Sequence, residues 1–171
     1  LTKKIKNNES IFEYITYLDR WYFDVLKEFA QNEGEFIQTF VDQKITAYNY
    51  IAYLRLQQLN KSDEQIKAFL VKTIVEVFND GDYQEAIRKY IQDALHIPAQ
   101  PTPEKLEKAS QQKLLSFLKR ASYIGEDGSM ILLYIESIKA YFYNLKLIAI
   151  YNELKSDKVQ TRSHLINYDA K

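Results

Sequence analysis

The chain has 171 residues, 46% of them hydrophobic, with Lys plus Arg and Asp plus Glu balanced at 23 each. A neutral chain lacks the concentrated positive surface that nucleic-acid binding requires, and the absence of cysteine excludes disulfides, thiolate metal sites and thiol catalysis. Four Gly and three Pro leave little turn material for a β fold, so long helices are expected.

Capping chemistry divides the chain. Ser10-Ile11-Phe12-Glu13 reads as a capping box, followed by helical apolar spacing at Ile11, Tyr14, Ile15, Leu18, Tyr22, Leu26 and Phe29. Gly34 stops that helix, and a longer one is expected from Glu35 to Leu59. Ser62-Asp63-Glu64-Gln65 opens a third helix, predicted to continue through Ile66, Phe69, Leu70, Ile74 and Val77. Asn79-Asp80-Gly81-Asp82 turns the chain, and Asp82 caps a fourth helix running to about Leu95. Pro98 and Pro101 then resist helix continuation, while Thr102 with Pro103 starts a new helix running to about Tyr123. After the Gly125–Gly128 turn a helix is expected from Ser129 to about Leu154, and a short last helix from Asp157 to Ile166. This places helical units at 1–97 and 105–171, joined by a proline-rich linker at 98–104.

The most membrane-like stretch, Met130 to Tyr151, is long enough to span a bilayer. It carries Glu136, Lys139, Asn144 and Lys146, each costly in hydrocarbon, so it reads as a helix buried in protein on most sides.

One signature occurs twice. Tyr48-Asn49-Tyr50 and Tyr143-Asn144-Leu145 set an Asn into apolar, aromatic helical runs 95 positions apart. A buried amide costs about 1–3 kcal/mol unless it finds a partner. Its recurrence points to a tandem repeat of helical units, with each Asn bonding helix to helix and fixing register. Arg55 and Lys146 follow the two Asn and are expected in ion pairs or carbonyl contacts near turns.

Chemistry-bearing patterns are weak. His96 and His164 have no carboxylate spacing suited to a metal. Asp80-Gly81-Asp82 lacks the spaced oxygen ligands of a calcium loop and reads as a turn with an N-cap. No phosphate loop or nucleophile elbow is present in the sequence, so no catalytic residue, cofactor or metal is expected. Tyr14, Tyr17, Trp21 and Tyr22 cover more than one face of the first helix; most are expected in the core, with one or two left for a partner.

The stretch Tyr17-Leu18-Asp19-Arg20-Trp21-Tyr22-Phe23 resembles a motif of the C-type stalk subunit of archaeal and bacterial A/V-type ATPases, known as the d-type in eukaryotic V-ATPases. In that family an Asp precedes a Tyr-Phe pair, here Asp19, Tyr22 and Phe23. The following helix carries an Asn and a later Arg, matched by Asn49 and Arg55. A third helix with Tyr, an acidic residue and Asn-Leu-Arg-Ile is matched by Tyr134, Asn144, Leu145, Lys146 and Ile148. Thr46, Tyr141 and Lys146 stand where the family has Asp, Glu and Arg, which bears on the ion pairs those carboxylates would make and not on the fold.

The resemblance implies an all-α chain forming part of a funnel of three related helical units, and a chain of two units without an initiating Met is expected to lack one. It implies a non-catalytic socket at the cytoplasmic face of the membrane, without direct insertion. The socket would join the central-shaft subunits to the rotor ring of an ATP-driven ion pump. An alternative from the aromatic content is a helical regulatory or ligand-sensing domain with an apolar pocket.

Overall fold

A computed structural model describes residues 11–71, 102–154 and 158–167. Among these the chain is all-α, with six helices and no strand. The chain divides into two compact units, Leu1–Ala86 and Ile87–Lys171. The division falls ahead of the proline cluster. Ser10, the 79–82 turn, the fourth expected helix, His96 and Pro98 all lie outside the described residues.

In the first unit α1 (Ile11–Gln31) and α2 (Glu35–Gln58) are joined at Gly34, and α3 (Asp63–Phe69) follows. Phe23 and Ala30 of α1 are buried, as are Phe40, Val41, Ile45, Tyr50, Tyr53 and Leu56 of α2. Asn60 ends α2 at φ +54°, a left-handed position that Asn tolerates, while Lys61 N–H reaches back to Leu56 O at 3.1 Å. The Ser62 hydroxyl accepts from Gln65 N–H and the Gln65 side chain accepts from Ser62 N–H, so the expected capping box starts α3. That helix is shorter than expected. Leu70 turns extended at φ −71°, ψ 142°, and Val71 leaves the helix, because its backbone groups bond to a side chain of α2. Residues 74 and 77 lie beyond the described segment.

In the second unit Thr102 caps α4 (Pro103–Ile124), its hydroxyl accepting from Lys105 N–H, with Pro103 in the first turn. Gly125 closes that helix at φ +80°, and Glu126 N–H bonds back to Ala121 O. Then come α5 (Ser129–Glu153) and α6 (Lys158–His164). Leu115, Ala140 and Ile166 form a core where these elements meet, with Leu133 and Tyr143 packed against it.

The expectation that 130–151 is buried on most sides does not hold. One stripe of α5 is buried, through Ser129, Glu136, Ala140 and Asn144. The opposite face is open, with Phe142 64% exposed alongside Ile131, Ile135, Ile138 and Leu145. Hydropathy measures how apolar a helix is and does not reveal how many of its faces are covered. No helix among the described residues is long and apolar enough to cross a membrane.

The first helix departs from expectation in the same way. Trp21 is 60% exposed, and Tyr17, Tyr22, Val25 and Phe29 are exposed with it. Phe23 and Ala30 face inward, so most of the Tyr–Trp stripe lies on the side away from the core.

Candidate functional site

Among the described residues, each unit has one buried asparagine. Asn49 lies midway along α2 with no exposure. Its Nδ2 donates to Val71 O at 2.8 Å, and Val71 N–H donates to its Oδ1 at 2.9 Å. Asn144 on α5 does the same to Ile166: Nδ2 to Ile166 O at 2.9 Å, and Ile166 N–H to Oδ1 at 2.8 Å. In both units the partner lies 22 residues on, just past the short helix. The amide thus satisfies donor and acceptor of one buried residue at once, with distances in the optimal range. The two asparagines grip non-helical backbone; the expectation of bonds from helix to helix is corrected here. A residue just outside a helix has lost the intrahelical partners of its backbone groups, and a primary amide is the side chain that matches both.

A second feature accompanies the first. Near the end of α3, Ala68 O accepts from Arg20 Nη1 of α1 at 2.6 Å. Near the end of α6, Ser163 O accepts from Lys108 Nζ of α4 at 2.6 Å. Ala68 and Ser163 are again 95 positions apart. Carbonyls in the last turn of a helix lack intrahelical partners and carry the negative end of the dipole, so a cation there is favourable.

In the first unit a polar cluster adjoins the clamp. The Tyr48 hydroxyl bonds to the Asp19 carboxylate, and the Phe23 and Tyr48 rings lie 4.8 Å apart. Burial pushes the Asp19 carboxyl up, opposed by the Tyr48 hydrogen bond and the positive charge of Arg55. Burial and then the Asp19 charge push the Tyr48 hydroxyl up to about 12. Among the residues of the family motif, Asp19 and Phe23 meet at Tyr48, next in sequence to Asn49, and the charge of Arg55 acts on Asp19. Tyr22 is exposed and meets Phe23 edge-on at 5.1 Å. Tyr134 and Lys146 are exposed on α5, and neither lies in the Asn144 clamp.

The second unit has its own polar feature. Glu136 is 3% exposed, and it accepts from Lys139 Nζ at 2.9 Å and Gln111 Nε2 at 3.4 Å. Burial also lowers Lys113, helped by the charge of Arg120. His164 stacks on Tyr151 with centroids 5.6 Å apart.

Sequence reasoning located both asparagines, missed Val71, Ile166 and Lys108, and quoted Arg20 and Tyr48 without foreseeing their contacts. The one available signal was the common spacing of 22 from each Asn to an apolar residue past a short helix. Groups of three or more His, Asp or Glu able to hold a metal are absent among the described residues. In each unit the arrangement bonds one side-chain amide to the backbone of a buried residue. Comparison with protein-family profiles, with curated proteins and with solved structures gives no match.

Proposed function

We propose that this chain is a non-catalytic socket of a rotary A/V-type ATPase, coupling central-shaft subunits to the membrane rotor ring from the cytoplasmic side. The observation that carries the reading is the clamp that recurs at the same offset in both units. It is built on Asn49 and Asn144, two of the residues on which the resemblance to the C-type stalk family rests. A part that transmits torque needs stiff units and no reactive centre. Two-point gripping of buried backbone supplies stiffness, because the trailing segment cannot slide along the long helix without breaking two buried hydrogen bonds together. Large packed rings such as Phe23 and Tyr48 add resistance to shear.

The test is co-purification of the full chain with central-shaft subunits of the same organism's ATPase. A stoichiometric complex supports the reading. If neither this chain nor a version extended by a further helical unit binds the shaft or the ring, the assignment is lost.

A further inference from the structure

We draw no further inference here: the strongest candidate, the exposed apolar face of α5 bearing Phe142 and Leu145, carries none, because the neighbouring Lys139 is already paired with buried Glu136 and nothing in the structure shows what covers that face.

Discussion

The two units solve the same local problem with the same residue and then differ in what surrounds it. Both hold a non-helical residue past a short helix with an asparagine 22 positions earlier, and both place a cation on a carbonyl of that short helix. The cations are not at matching positions. Arg20 would correspond to Leu115, while Lys108 lies two helical turns earlier on α4. Likewise Asp19 corresponds to buried Leu114, and buried Val41 to buried Glu136. The backbone clamp is thus the shared element, and the polar clusters near it are separate inventions of each unit. A carbonyl can be reached from several points on a neighbouring helix by a long flexible cation, whereas an amide that must meet both an N–H and a C=O has one workable position.

The largest effect should come from the clamps. Asn49→Leu leaves Val71 N–H and C=O buried without partners and is expected to cost about 2–5 kcal/mol. Asn144→Leu should do the same through Ile166. Chemical denaturation gives the cost, and hydrogen exchange at the Val71 and Ile166 amides shows whether each loss stays within its own unit. An unchanged midpoint for Asn144→Leu, with partner binding lost, would reassign that asparagine to a contact and break the equivalence.

The Asp19–Tyr48 pair belongs to the first unit, and it should give that unit an alkaline weakness. The folded state holds the Tyr48 proton more tightly than the unfolded chain, whose hydroxyl titrates near 10.0. The stability this contributes is intact below pH 10 and is lost as pH rises to about 12. Tyr48→Phe should cost about 1 kcal/mol at neutral pH and flatten the decline over that window. Ultraviolet titration should show one fewer late-ionising tyrosine. A decline identical in the variant would remove Tyr48 as its source.

Smallest should be the cations. Arg20→Ala and Lys108→Ala are each expected to cost about 0.3–1 kcal/mol, less at high salt, because both bonds are exposed. Equal effects from the two variants would sharpen the view that the carbonyl, not the cation's position, is what the units share. An effect of several kcal/mol in one alone would separate them.

Which features were readable beforehand follows from where the information sits. Ser62 with Gln65, Thr102 with Pro103, and Gly125 act through their own side chains or backbone freedom, so the ends they mark were legible. Asn49 and Asn144 stood out because an amide in an aromatic run is costly. Their partners did not, because Val71 and Ile166 take part through peptide groups that every residue carries. The early end of α3 was hidden for the same reason: Leu70 suits a helix, and only the long-range grip on Val71 forbids it. The outward aromatic face of α1 and the open face of α5 were misread as core, since a buried stripe and an exposed one are written in the same residues.

One consequence of the clamp concerns how such a chain can change over generations. The grip on positions 71 and 166 is made entirely with main-chain atoms. Their side chains are therefore free to drift among residues that fit the core, with proline the one type barred outright, since it brings no N–H to meet the amide oxygen. Each asparagine has no such latitude: aspartate lacks the donor, leucine lacks both groups, and glutamine overshoots by a methylene. Divergent copies of this unit would accordingly keep a solitary Asn and its spacing while losing almost every other letter in common.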